Sequence, residues 1–394
     1  MTRWDRSRSS WREHTDMALR VGVIGGGQLA RMMVPPAVEL GLDIRVLAEQ
    51  PGMAASIAAT ATGDYHDAAT VLAFAREVDV VTFDHEHVPQ DVLAALVDAG
   101  VAVRPGPAAL AVAQDKIVMR TRLSSLGLPV PDWAAVHDAA ELGAFLDAHG
   151  GRAVVKTARG GYDGKGVRVV TASDQADDWF TALAETASGD ALLVEELVAF
   201  TRELAQSVAR RPSGEVVPWP LVETVQRNGV CAEVIAPAPG SAGRIADTTG
   251  DIAVRIAEEL DVTGVLAVEL FETDDERILI NELAMRPHNT GHWSIDGATT
   301  SQFEQHLRAV LDLPLGAPGM HAPTAAMVNV LGGPADGDLA SRYPAALAEF
   351  PEAKYHFYGK APRPGRKIGH VTVTGDDVDD VVFRARAAAA HFDD

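Results

Sequence analysis

Short apolar runs alternate with amphipathic stretches along the first quarter of the chain. Residues 19–24 are an apolar run of strand length, followed by Gly25-Gly26-Gly27-Gln28 and a helical periodicity over 29–40. Further strands are predicted at 44–47, 78–83 and 102–103, with helices at 68–77 and 90–99 between them. Strands alternating with helices predict a parallel α/β layer to about residue 113.

Beyond that point the pattern changes. A helix at 115–126 ends at Gly127 and Pro129, and a helix at 139–149 precedes a strand at 153–156. A glycine-rich loop leads to a strand at 167–170, and an apolar strand at 192–196 closes a small α+β unit over 114–200. Residues 201–314 mix strands (203–210, 265–271, 278–282) with helices (249–260, 300–311). Prolines and glycines over 314–323 lead into a last segment, 315–394, with strands at 325–330 and 369–373.

A chain of 394 residues with 47% hydrophobic and 23% charged residues has room for two or three domains. The net charge of −21 comes without a concentrated Lys/Arg footprint, which argues against nucleic acid as a partner. A few local cations still suffice for one phosphorylated substrate. Cys231 is the only cysteine, so no intrachain disulfide forms, in keeping with a reducing compartment. No apolar run reaches the roughly 18–20 residues that cross a bilayer, so no membrane partner is expected. Residues 1–16 carry four arginines and no apolar core, and read as a disordered arm rather than a signal peptide.

The chemistry concentrates in four places. Asn281-Glu282 ends an apolar strand and is followed by Arg286-Pro287-His288-Asn289 and Gly291-His292-Trp293, a stiff polar loop. Carboxylates at a strand end suit Mg²⁺ and nucleotide phosphates, and the arginine and histidines beyond suit a reacting anion. Glu269 is a single charge inside an apolar strand, which is expensive unless paired or metal-bound, and Glu282 is its natural partner. Gly160-Gly161-Tyr162-Asp163-Gly164-Lys165-Gly166 lies between two strands and reads as a cover over phosphates, with a ligand-free hairpin as the alternative; no Gly-Lys-Ser/Thr opens a helix there. Lys360, Arg363, Arg366, Lys367 and His370 form a shaped basic loop in an otherwise acidic chain.

Two signals are ambiguous when taken alone. Gly25-Gly26-Gly27-Gln28 with Glu49 after the next strand fits a dinucleotide fingerprint, another anion site or a structural turn. Glu195-Glu196-Leu197-Val198 reads either as surface charge or as a hinge whose extended backbone meets an adenine edge, with Glu203 on ribose hydroxyls.

Together these motifs resemble the ATP-grasp superfamily and, within it, the 5-(carboxyamino)imidazole ribonucleotide synthases of purine biosynthesis. The likeness runs in order from about residue 19 to 375. It implies an ATP-grasp fold (α/β and α+β) with a Rossmann-like parallel-sheet domain at 17–113, a lid subdomain at 114–200, a catalytic subdomain at 201–314 and a small β-rich C-terminal segment at 315–394. The implied substrates are ATP, bicarbonate and aminoimidazole ribonucleotide, with Mg²⁺, in a cytoplasmic homodimer. Lys116 and Lys156 would hold ATP phosphates under the Gly160–Gly166 loop, including Tyr162, Asp163, Gly164 and Lys165. Glu195, Glu196, Leu197 and Val198 would frame adenine, Glu203 the ribose, and Gln226 and Asn281 would also face ATP. Glu269 and Glu282 would hold the metal, while Arg286, His288 and Lys360 would position bicarbonate and carboxyphosphate. Gln28, Glu86, Tyr162, Asp163, Lys165, Arg363, Arg366 and Lys367 would meet the ribonucleotide.

Three departures from the family pattern stand out. Met285 precedes Arg286 where relatives usually carry proline, Gln226 stands where many have histidine, and His85 and His87 flank Glu86. Rival readings are another ATP-grasp ligase or formyl-transferring enzyme on a purine-pathway nucleotide, an NAD-dependent oxidoreductase built on the first glycine run, and a non-catalytic nucleotide sensor.

Overall fold

The computed structural model describes residues 18–161, 166–185, 190–227 and 229–393. The arm at 1–16 and the loop residues Tyr162, Asp163, Gly164 and Lys165 lie outside the described residues.

Among the described residues, three sheets follow one another along the chain. The first comprises β1 (Arg20–Ile24), β2 (Asp43–Ala48), β3 (Ala59–Thr62) and β4 (Val80–Phe83) in the order β3-β2-β1-β4, every neighbour parallel. Strands β1 and β4 are apolar and buried because helices cover a parallel sheet on both faces. The strand expected at 102–103 is a single bridge, Val81 to Val103. Two residues are too few to extend a ladder.

The second sheet is antiparallel: β5 (Trp133–Val136), β6 (Ala153–Thr157), β7 (Val167–Val170) and β8 (Leu192–Glu196), ordered β5-β8-β6-β7.

The third has nine strands: β9 (Phe200–Arg210), β10 (Val216–Pro218), β11 (Val222–Arg227), β12 (Val230–Ala236), β13 (Gly264–Thr273), β14 (Ile278–Ala284), β15 (Thr324–Leu331), β16 (Lys354–Phe357) and β17 (Lys367–Gly375). Their order is β14-β13-β9-β11-β12-β15-β17-β16, with β10 paired to β9. The C-terminal strands therefore extend the same sheet that carries Glu269. Strands β3, β5, β10, β11, β12 and β16 and the helices Pro107–Gln114, Asp177–Ala184, Tyr343–Glu349 and Val378–Ala390 are absent from the sequence expectation. Several are short or half-exposed, so their apolar signal is weak.

Alternation along β13 decides where the carboxylate points. Val268 and Leu270 join a core with Ile252, Ala253, Ile256 and Ala257 of the helix Arg244–Glu259. Glu269, one residue out of phase, faces away from that helix. On this second face lies the helix Gln302–Val310, whose Phe303, Leu307 and Val310 pack with Val21, Leu29 and Met33 of the first domain. His306 of the same helix is fully buried; its Nε2 meets the Thr82 hydroxyl of β4 at 2.7 Å and its Nδ1 accepts from the Val265 N–H of β13 at 3.1 Å. One imidazole thus ties the first sheet to the third. Burial pushes it down to about 3, so it stays neutral and keeps both bonds across the physiological range. Among the described residues, no helix is long and apolar enough to cross a membrane.

Candidate active site

Glu269 of β13 and Glu282 of β14 are directly opposite in the antiparallel register. Cross-strand neighbours have Cβ atoms about 4.5–5.5 Å apart, and two like charges at that spacing repel. The Glu269 carboxyl is accordingly raised to about 8, by burial first, then by Glu282 and Glu203. Burial also raises Glu203 on neighbouring β9. Such a concentration of carboxylate is costly unless a cation shares it. Two carboxylates with no third protein ligand among the described residues suit a hard cation that takes its remaining oxygens from phosphates and water.

A cationic wall stands on one side. Lys116 begins the helix Lys116–Ser125 and reaches Glu282 at 3.1 Å. The Asp115 carboxylate caps that helix through the Ile117 and Val118 N–H groups and also accepts from Arg159 at 2.8 Å. The Lys116 N–H donates to the Ala158 carbonyl at 2.8 Å, so the base of the glycine loop and the lysine are fixed together. Lys156 of β6 meets the Glu195 carboxylate at 2.6 Å and donates to the Asn281 side-chain oxygen at 3.2 Å. Arg120 also pairs with Glu195 and donates to the Asn281 carbonyl at 2.7 Å. Burial alone would raise the Glu195 carboxyl, but Lys156 and Arg120 outweigh it and hold it low. Glu195 is 3% exposed, so the surface-charge reading of that residue fails. Its carboxylate aims Lys156 across the gap between the second and third sheets.

On the other side lies the loop after β14. Arg286 donates to Glu86 at 2.7 Å, and the second Glu86 oxygen accepts the Met285 N–H at 3.1 Å. That contact braces the loop where a proline would have had no N–H to give. The His288 ring faces Thr290 through Nδ1 at 3.0 Å and Glu269 through Nε2 at 3.6 Å. Burial, then Arg286 and Lys367, pushes its pKa far down, so the ring is neutral. Lys360 donates to the Gln28 side-chain oxygen at 2.7 Å, and the Gln28 amide donates to Asn289 at 3.3 Å. Three segments distant in sequence thus meet at one point.

The first glycine run is already occupied by the chain's own carboxylates. Glu49 accepts the Gly26 N–H at 2.9 Å and His85 at 3.2 Å, and Asp84 accepts the Ala30 N–H at 2.7 Å inside the first helix. A Cβ on Gly27 would lie 2.8 Å from the Asp84 carboxyl carbon. Two acidic groups sit where a dinucleotide pyrophosphate needs bare N–H donors. The oxidoreductase reading therefore fails on geometry.

Comparison with known proteins adds a separate line of support. Residues 17–114 match a family model described as a ribonucleotide synthetase preATP-grasp domain, 121–303 an ATP-grasp domain, and 325–384 a phosphoribosylaminoimidazole carboxylase C-terminal domain. An N5-carboxyaminoimidazole ribonucleotide synthase from Corynebacterium ammoniagenes is 50% identical, with 94% of this chain and 91% of that protein covered. The chain belongs to the N5-carboxyaminoimidazole ribonucleotide synthase family. A synthase from Mycobacterium tuberculosis is likewise 50% identical over 94% of this chain and 86% of its own. A Thermus thermophilus synthetase structure aligns with a TM-score of 0.83 at 36% identity, covering 94% of this chain and 98% of that one. An Aspergillus clavatus synthase in complex with ADP and 5-aminoimidazole ribonucleotide aligns at 0.85 and 30% identity, covering 95% and 98%.

Within this synthase-family fold, the remaining expected residues that are described have identifiable places. Gly160 and Gly166 bracket the glycine loop with φ of +77° and +71°, and the Gly166 carbonyl accepts the Thr157 N–H at 2.9 Å. Glu196 accepts the Asp132 N–H at 3.1 Å, and Leu197 and Val198 follow it half-buried at the junction of the second and third sheets. Gln226 sits half-buried at a register shift in β11. Arg363 is exposed; its N–H donates to the Gly332 carbonyl at 3.0 Å, and Arg366 donates to the Ala361 carbonyl at 3.2 Å. Lys367 is close enough to Glu269 and His288 to act on both electrostatically. Sequence reasoning missed Arg120 and Gln302, both fully or nearly fully buried polar residues. The one signal for either is an uncompensated polar residue at a helical position facing the core.

Proposed function

We propose that the chain carboxylates 5-aminoimidazole ribonucleotide to N5-carboxyaminoimidazole ribonucleotide in purine biosynthesis, consuming ATP and bicarbonate and releasing ADP and phosphate. The observation that carries this reading is the opposed Glu269–Glu282 pair flanked by Lys116 and Lys156 on one side and by Arg286 and His288 on the other. A bicarbonate oxygen attacks the γ-phosphorus and ADP leaves, forming carboxyphosphate. The exocyclic amine of the ribonucleotide then attacks the carboxyl carbon, the carbon–oxygen bond to phosphate breaks, and the amine loses a proton.

Lys116 and Lys156 hold the nucleotide phosphates beneath the Gly160–Gly166 loop, with Asn281 and Gln226 nearby. Glu195 through Val198 frame the adenine and Glu203 takes the ribose. Glu269 and Glu282 would hold Mg²⁺, which when bound neutralises phosphoryl charge. Arg286, with Lys360, orients the bicarbonate anion, and neutral His288 offers a hydrogen bond without adding charge. Glu86 keeps Arg286 in place beside its expected contact with the ribonucleotide. Gln28, Tyr162, Asp163, Lys165, Arg363, Arg366 and Lys367 complete that substrate's site. Carboxyphosphate decomposes in water, so one closed cleft must make and use it. A cytoplasmic homodimer and the functional units 17–113, 114–200, 201–314 and 315–394 belong to the same proposal.

The test is ADP release with the ribonucleotide present, with and without bicarbonate. Bicarbonate dependence is expected; equal rates would sink the proposal. A second prediction concerns the basic loop. Arg366→Ala is expected to raise the KM for the ribonucleotide about tenfold, as for loss of one charge-assisted phosphate contact, while the ATP KM barely moves. An unchanged ribonucleotide KM would remove Arg366 from that site.

A further inference from the structure

Gln302 begins the helix that ties the first sheet to the third, yet its side chain turns back to the loop of His288. It is 1% exposed, and its amide is committed on both sides. The side-chain oxygen accepts the His288 N–H at 2.8 Å, while the side-chain nitrogen donates to the His288 carbonyl at 2.8 Å. A primary amide that grips both backbone groups of one residue mimics a strand edge. It fixes the position of that residue's Cα and the direction in which its side chain leaves.

The same nitrogen lies 2.8 Å from Nδ1 of His292. The two bonds to His288 settle which end of the amide is nitrogen, so His292 Nδ1 accepts and its proton resides on Nε2. The loop is closed from the other side as well. The Gln302 N–H donates to the Ser294 hydroxyl at 2.9 Å, and that hydroxyl donates to the Gly291 carbonyl at 2.6 Å. Gly291 is the residue that admits this arrangement, because a Cβ there would fall 2.7 Å from the Gln302 amide carbon. Its φ is not in the left-handed region, so the requirement is for space rather than backbone conformation.

We infer that Gln302 is a positioning residue for the carboxylation step: it holds the His288 backbone so that the imidazole stays between Thr290 and Glu269, and Gly291 exists to make room for it. The inference rests on the proposed role of His288 at bicarbonate. Gln302 itself touches none of the reacting groups. Its neighbour four residues on, His306, anchors the same helix to Thr82 and Val265, so the clamp on His288 is referred to both sheets rather than to a free loop.

The test is a double-mutant cycle on the full chain. Gln302→Ala and Gly291→Ala are each expected to lower kcat/KM for bicarbonate about 10²-fold, the cost of misplacing a reacting group by about 1 Å. The dissociation constant for ATP should stay within about twofold in both. In the Gln302→Ala background the added methyl at 291 meets no amide, so the double variant should match Gln302→Ala alone rather than show both losses. If Gln302→Ala fails to fold, Gln302→Glu takes its place, since it retains the acceptor for the His288 N–H but loses the donor. Unchanged bicarbonate kcat/KM, additive losses in the double variant, or an equal loss in ATP affinity would each overturn the inference. Absence of bicarbonate dependence in the unaltered protein would instead reject the functional reading beneath it.

Discussion

In a Glu282→Gln variant, bicarbonate-dependent ADP release is expected to fall about 10³-fold, or about 4 kcal/mol of transition-state stabilisation. The amide keeps the size of the carboxylate, so packing between β13 and β14 is preserved. What is lost is charge. Lys116 loses its partner at 3.1 Å, and Glu269 loses the neighbour that, after burial, does most to raise it. One carboxylate then stands where two would share a divalent cation. The measurement is ADP release with and without bicarbonate, alongside a thermal melt. Wild-type turnover in a folded variant would exclude Glu282 from the chemistry.

The second large effect is on stability. Removing Glu195 as Glu195→Ala leaves Arg120, a buried cation that is 0% exposed, and the half-buried Lys156 without their counter-charge. Breaking one partner of a buried ion pair typically costs about 3–5 kcal/mol. The pH dependence has a definite sign. The folded Glu195 carboxyl is held below its ordinary range, so its contribution is fully present above the unfolded value of about 4.3 and is lost as pH falls through the folded value. The deficit of the variant should therefore be largest near neutrality and shrink on acidification below about pH 4. Denaturant titrations of both proteins at neutral and acid pH measure it. A deficit under about 1 kcal/mol at pH 7 would mean that water or backbone groups already satisfy the two cations.

The site was more legible than the sheet that carries it. Glu269 declared itself as a charge in an apolar strand, and the loop from Asn281 to Trp293 as a dense polar run at a strand end. Both signals survive because burying charge without a partner is expensive whatever the fold. Strands β11 and β12 went unnoticed, although Asn228-Gly229 in the sequence is a hairpin signal between two apolar runs. Edge strands β3 and β16 are short and partly exposed, so hydrophobic periodicity carries little information about them. The first glycine run stayed ambiguous for a different reason. Glycine spacing reports only that backbone N–H groups are approachable, not which acceptor approaches them, and here Glu49 and Asp84 take the bonds.

From the linear sequence alone came the α/β start, the glycine loop, the metal-suited carboxylates and the family likeness. Each depends on neighbours within a few residues, where periodicity and side-chain chemistry speak directly. Only the tertiary structure decided that Glu195 is a buried anchor for Lys156, that Glu86 braces Arg286, that Lys360 meets Gln28, and that Gln302 grips His288. Those contacts join residues from 14 to 332 positions apart. They depend on which sheets and helices come to lie against one another, and no local pattern of hydrophobic and polar residues encodes that.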